Sequence, residues 1–290
     1  MSSKTIKKEI RASLKRKADS HKGDYGRVLI IAGSPGMTGA AALTCLGALR
    51  SGAGLITLGI PKSLNFIMEE KLTEVMTYPL PQTREGTFSL RAIKPLQLLI
   101  KRHDVLAIGP GISQNAETKQ LVRAIIKTTS IPLVIDADGI NSLVGHSEIL
   151  AKKKSSVIIT PHPREFSRIF KVNVNEIQRQ RKNIALRYSL KYGIIVVLKG
   201  HKTIVAHGKS SFCNITGNAG LATGGSGDVL TGIIASFLGQ GIKPYLAAKY
   251  AVYIHGLAAD LAARDKTQVS LIPSDLLEYL PRAFKACGCR

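Results

Sequence analysis

The residues with the most evident chemistry form one segment, Thr216-Gly217-Asn218-Ala219-Gly220-Leu221-Ala222-Thr223-Gly224-Gly225-Ser226-Gly227-Asp228, which runs into the apolar stretch Val229 to Leu238. The small residues from Ala222 to Gly227 let backbone N–H groups approach a ligand closely. A helix starting there adds a partial positive charge of roughly half a unit at its first turn, a setting suited to phosphate. Gly224, Gly225, Ser226 and Gly227 therefore read as an anion hole. Asp228 stands at its lip, where a carboxylate can take the proton from a hydroxyl that attacks a phosphoryl group. Asp is also a favoured helix cap, but a cap alone needs no run of glycines. The segment is not a Walker loop, because no Gly-Lys-Ser or Gly-Lys-Thr follows, and no strand immediately precedes it, as a dinucleotide fingerprint requires.

Such a turn needs a scaffold. Short apolar runs at Val28 to Ala32, Leu55 to Leu58, Val105 to Ile108, Leu133 to Ile135, Val157 to Thr160 and Ile194 to Leu198 lack polar alternation, which suits strands covered on both faces. Helical stretches at Ala40 to Arg50, Glu117 to Thr128 and Glu176 to Tyr192 supply the crossovers of a mostly parallel sheet. A hairpin-like Thr203 to Asn214 follows, then helices from Asp228 to Leu238 and Tyr245 to Arg264. Most runs end in loops rich in Gly, Pro, Asp or Ser, and in open α/β sheets the ligand crevice lies outside the carboxyl ends of the strands. The expected architecture is a three-layer αβα fold in one domain over residues 21–290, preceded by a basic amphipathic helix within residues 1–20. Ile6, Ile10 and Leu14 form the apolar stripe of that helix, which is expected to pack on the domain or on a sister subunit.

The motifs Gly26-Arg27-Val28, Thr38-Gly39-Ala40-Ala41, Ala48-Leu49-Arg50-Ser51-Gly52-Ala53-Gly54, Gly109-Pro110-Gly111, Asp136-Ala137-Asp138-Gly139-Ile140-Asn141, Thr160-Pro161-His162-Pro163-Arg164-Glu165 and Leu198-Lys199-Gly200 join the glycine-rich turn in one order. Together they closely resemble the ADP/ATP-dependent NAD(P)H-hydrate dehydratases, of the ribokinase-like class, from about Gly23 to Ala263. The resemblance implies a repair enzyme that removes water from (6S)-NADHX or NADPHX, the hydrated forms of NADH and NADPH. The hydrate hydroxyl would be phosphorylated and the phosphate then expelled with help from the ring nitrogen. Carried over by position, it makes Ala40, Gly111, His162 and Asp228 contacts for the hydrate, and Lys199, Gly200, His201, Lys202, Thr203 and Gly227 contacts for the adenine nucleotide. It also implies Mg²⁺ with ADP, or alternatively ATP, as co-substrate, a separate epimerase as functional partner and a homotetramer, while the charges in Met1 to Ser20, where a signal peptide's apolar region should be, lead to the expectation of a cytoplasmic setting.

Each of these residues has a plainer reading. Ala40 and Gly111 could serve tight packing, and Lys199 to Thr203 could be a solvated turn. His162 lies between two prolines that stiffen its loop and aim the imidazole. Asp136 and Asp138 either orient a Mg²⁺ through water, or Asp138-Gly139 is a turn and Asn141 the cap of the next helix. No residue is named as a direct metal ligand. His103, His146, His201, His207 and His255 show no partners in the sequence and read as structural or surface residues, with His201 in the nucleotide set by resemblance alone.

Composition narrows the rest. The 290 residues carry a formal net charge of +22, a field that attracts nucleic acid, anionic membranes and phosphorylated metabolites alike. There is no Trp and only 5% of residues are aromatic, so platforms for stacking bases are sparse and nucleic acid is not the expected partner. No window reaches the roughly 18 consecutive apolar residues of a spanning helix. Cys45, Cys213, Cys287 and Cys289 never pair with histidines at zinc-ligand spacing. The rival readings are a small-molecule kinase of the same fold and, from another class, a basic nucleic-acid-binding protein.

Overall fold

In a computed structural model describing residues 2–289, the apolar runs become the strands of one nine-stranded sheet. The strands are β1 (Arg27–Ile31), β2 (Leu55–Pro61), β3 (Met76–Leu80), β4 (Val105–Ile108), β5 (Leu133–Ile135), β6 (Val157–Ile159), β7 (Ile195–Leu198), β8 (Ile204–His207) and β9 (Ser210–Cys213). Their order is β3-β2-β1-β4-β5-β6-β7-β8-β9, parallel through β7 and antiparallel for the last two. The order reverses between β1 and β4, the kind of switch point outside which α/β sheets bind ligands.

Alternate residues explain the unbroken apolar runs. Val28, Ile30, Val105, Ala107, Val134 and Ile158 join a core under the helices Thr38–Arg50, Ser226–Gly239, Pro244–Lys266 and Pro273–Ala286. Leu29, Ile31, Leu106, Ile108, Leu133, Ile135, Val157 and Ile159 face the helices Ile93–Ile100, Ala116–Thr128, Pro163–Phe170 and Arg181–Tyr192. Three layers result. The N-terminal helix, Ser3–Ser13, buries Ile6 and Ile10 in the first core, while Lys249 reaches Glu9 at 2.6 Å. Its apolar stripe is thus used within this chain.

The register delivers the loops to one edge. Ile31 pairs with Ile108, Ile108 with Ile135, Ile135 with Ile159, and Ile159 with Val196, so the loops after β1, β4, β5, β6 and β7 leave almost level. Helix Ser226–Gly239 lies close against Thr38–Arg50, because a Cβ on Gly232 would stand 2.1 Å from Thr44 O. That contact fixes where its first turn points.

Three features differ from the sequence reading. Strand β3 has an exposed pattern and carries Pro79, which an edge strand tolerates because its free side needs no ladder donor. The stretch Glu176 to Tyr192 is two helices, Val174–Arg179 and Arg181–Tyr192, broken at Gln180. The break puts Arg181 where its guanidinium donates to Leu198 O (2.9 Å) and Lys199 O (3.1 Å). The third is the closing helix Pro273–Ala286, with Pro at its first position where a missing N–H costs nothing.

Candidate active site

The glycine-rich turn enters helix Ser226–Gly239 two residues earlier than its apolar pattern suggests. Gly225 is the N-cap at φ +97°, a left-handed conformation that a side chain strains, and a Cβ there would meet Leu43 Cδ1 at 2.6 Å. Asp228 is therefore the third residue of the first turn and not the cap. Its carboxylate feels burial and the charges of Asp136, Lys199 and Glu165, with no hydrogen bond among the causes of its shift. The hydroxyl of Ser226 turns back to Leu221 O (2.8 Å) and Thr223 O (3.2 Å), so Ser226 can offer a ligand only its backbone.

The turn is braced from below. Asp260 accepts from Gly217 N (2.9 Å) and Asn218 Nδ2 (3.1 Å), and His255 Nε2 donates to Ser226 O at 2.9 Å. Burial lowers the His255 imidazole to about 4, keeping it neutral. These are the groups that hold backbone donors in place before any ligand arrives, which is what an electrostatic site requires.

Around the lip sits a cluster of charge assembled from three other strand ends. Asp136, after β5, is 1% exposed and accepts from Lys199 Nζ, after β7, at 2.7 Å. Thr231 Oγ1 donates to the other oxygen of Asp136 at 2.8 Å. Glu165, in the helix after β6, lies 3.9 Å from Lys199 Nζ. Burial pushes the Asp228 carboxyl up to about 7, reinforced by Asp136 and Glu165 and opposed by Lys199. Burial would lower the Lys199 ammonium, but Asp136 and Glu165 outweigh it and hold it above the usual lysine value. Burial raises Glu165 also, against the pull of Lys199.

His162 is a helix cap as well as a wall of the site. Its Nδ1 accepts from Arg164 N (3.1 Å) and Glu165 N (3.2 Å), so the proton sits on Nε2, 3.5 Å from Glu165 Oε1. Burial, with Lys199 and Arg168 nearby, lowers it to about 4. The ring is a neutral hydrogen-bonding group, not an acid.

A cavity of about 590 Å³ joins these parts. Asp136, His162, Lys199, Gly200, His201, Lys202, Thr203, Gly225, Ser226, Gly227 and Asp228 all line it. Ala40 and Gly111 lie outside that lining, against each other: a Cβ on Gly111, at φ +62°, would stand 2.9 Å from Ala40 Cβ. Gly224 is at the exposed tip of the turn. Sequence reasoning passed over Glu165, Thr231 and His255 as site residues, and only the spacing of Glu165 after His162, a capping pattern, hinted at any of them.

The carboxylates do not form a metal cage. Among the described residues no three acidic, His or Cys side chains gather to hold an ion. Asp136 is taken by Lys199 and Thr231, and Asp138 by Ser113 N (3.1 Å) and Asn141 Nδ2 (3.2 Å). Asn141 closes the helix Ala137–Asn141 instead of capping the next one. A Mg²⁺, which takes few protein carboxylates and several waters, fits here only as an ion carried on phosphates.

Strand order, layers and a glycine-rich helix start at the carboxyl edge of the sheet define the ribokinase-like α/β class. A ribokinase-like superfamily protein from Enterococcus faecalis has this fold at 29% identity and a TM-score of 0.82, over 99% of this chain and 95% of that one. A family model described as NAD(P)H-hydrate dehydratase matches residues 28–282, and the chain belongs to that family. It is 35% identical to the ADP-dependent (S)-NAD(P)H-hydrate dehydratase of Bacillus subtilis, covering 95% of each. A solved structure of the ADP/ATP-dependent NAD(P)H-hydrate dehydratase of that organism, co-crystallised with ATP and Mg²⁺, matches with a TM-score of 0.83, 34% identity and 97% of both chains. The bifunctional NAD(P)H-hydrate repair enzyme Nnr of Moorella thermoacetica is 43% identical over 93% of this chain, which spans 51% of that protein's length.

Proposed function

We propose that the protein is a nucleotide-dependent hydro-lyase that returns (6S)-NADHX and NADPHX to NADH and NADPH. The observation that carries the reading is Asp228, a part-buried carboxylate in the first turn of the helix at the lip of the glycine-rich loop, raised to about 7. A base poised there accepts the proton of the hydrate hydroxyl as its oxygen attacks the terminal phosphoryl group. The P–O bond to the nucleotide breaks, giving AMP from ADP or ADP from ATP, and the new phosphate ester sits on the ring carbon. Phosphate leaves where hydroxide would not. The lone pair of the ring nitrogen drives the C–O cleavage, and loss of a proton from the neighbouring carbon restores the dihydronicotinamide.

In this reading the N–H groups of Gly225 and Gly227 face the transferred phosphoryl, and Lys199, Gly200, His201, Lys202 and Thr203 flank the nucleotide. His162, as a neutral donor, meets the hydrate, with Ala40 and Gly111 shaping the entrance on its side. Mg²⁺ enters on the nucleotide and neutralises phosphate charge. ADP is the preferred donor, the setting is cytoplasmic, an epimerase supplies the reactive epimer, and the chain assembles as a homotetramer. Incubation with acid-hydrated NADH and either ADP or ATP tests the reading. Recovery of the reduced-nicotinamide absorbance with stoichiometric phosphate release supports it. Phosphorylated hydrate accumulating without that recovery would instead indicate a small-molecule kinase.

A further inference from the structure

Helix Ser226–Gly239 serves the site twice. Its first turn forms the proposed anion hole, and one turn further along its Thr231 donates to Asp136 Oδ2 (2.8 Å), while Asp136 Oδ1 holds Lys199 Nζ (2.7 Å). The strut lies directly under the turn: a Cβ on Gly227 would stand 3.3 Å from Lys199 Nζ and 3.9 Å from Asp136 Oδ2. It ties together the ends of β5 and β7 and the helix, through contacts 63 and 95 residues apart in sequence.

A buried ion pair is a poor source of stability, because desolvation cancels most of the attraction. A carboxylate at 1% exposure whose two oxygens meet one ammonium and one hydroxyl is better explained by what it positions. We propose that Asp136 and Thr231 are positioning residues that hold the Lys199 ammonium against the underside of Gly227, aimed at the phosphate being transferred and kept from pairing with Asp228. Lys199 then supplies charge to the anion hole without occupying the base.

The charged and titratable groups facing Asp228 are Asp136 from β5, Lys199 from β7 and Glu165 from helix Pro163–Phe170. His255 on helix Pro244–Lys266 and His162 beside Glu165 are neutral at pH 7, so neither competes. Removing the charge of Asp136 releases Lys199 toward Asp228. Both the loss of a neighbouring anion and the gain of a cation then drive the Asp228 carboxyl down.

The inference rests on Asp228 acting as the base, and the test separates the two. ADP binding to Thr231→Val, Thr231→Ser and Asp136→Asn is measured by calorimetry without hydrate, and the pH dependence of kcat for dehydration is measured with it. Thr231→Val should weaken ADP about tenfold, and Thr231→Ser should recover to within about twofold. Asp136→Asn should lower kcat and move its acid limb down by about one pH unit. Variants that only melt earlier, with ADP affinity and acid limb unchanged, would overturn the inference. If the wild type binds ADP in a Thr231-dependent way yet restores no NADH, the hydrate assignment fails and the strut stands. Should Asp136→Asn not fold, the Thr231 pair decides.

Discussion

In the proposed reading, the phosphate side and the hydrate side of the site are built on opposite principles. The glycine-rich turn is surrounded by named polar groups: Asp260 holds Gly217 and Asn218, His255 holds Ser226 O, and Lys199 and Asp136 set the charge around Asp228. Ala40 and Gly111, proposed for the hydrate side, instead offer only a methyl group and a hydrogen, and a Cβ on Gly111 would stand 2.9 Å from Ala40 Cβ and 3.0 Å from Met37 Cβ. Preorganised charge is sensitive to chemistry, and tight packing to volume. The same kind of substitution should therefore fail differently on each side.

Asp228→Asn has the largest expected effect. Loss of the base should cut kcat by about 10²- to 10⁴-fold with ADP binding retained. Stability should move the other way. The folded carboxyl titrates near 7 against an ordinary 3.8, so the folded state binds the proton more tightly and stability falls as pH rises between those values. Asn removes that penalty, stabilising by up to about 4 kcal/mol above pH 7 and by nothing below the unfolded value, as urea unfolding at several pH values will read. An unchanged unfolding midpoint above pH 7 would contradict a carboxyl raised to about 7 in the folded state.

Gly225→Ala comes next. Positive φ and the overlap with Leu43 should cost about 1–3 kcal/mol and weaken ADP binding, with the hydrate KM much less affected. Gly111→Ala is the mirror case and the smaller effect, costing about 1–2 kcal/mol for its left-handed backbone. It should raise the hydrate KM several-fold and leave ADP affinity within about twofold. If both variants lose ADP equally, the two sides are one unit and the contrast drawn here is wrong.

How much of this the sequence discloses follows the same division. Strands buried on both faces announce themselves as unbroken apolar runs, and Asp228 is marked by the glycines before it. Strand β3 is hidden because its exposed residues and Pro79 resemble a loop, and Gln180 gives no local sign that it divides two helices. Thr231 sits, like Ser236, in the mostly apolar part of its helix, so nothing nearby singles it out. Its meaning, like that of Glu165, comes from partners brought together only by the strand register. Ala40 and Gly111 are visible only through resemblance, since a missing side chain carries no chemical signature of its own.

The pH dependence of kcat for hydrate dehydration tests the central claim most directly. Asp228 acting as base, with its carboxyl raised to about 7, predicts an acid limb at about pH 7, with kcat falling about tenfold per unit below it and the limb abolished in Asp228→Asn. A wild-type kcat that stays flat down to about pH 5 would contradict the assignment of Asp228 as the base.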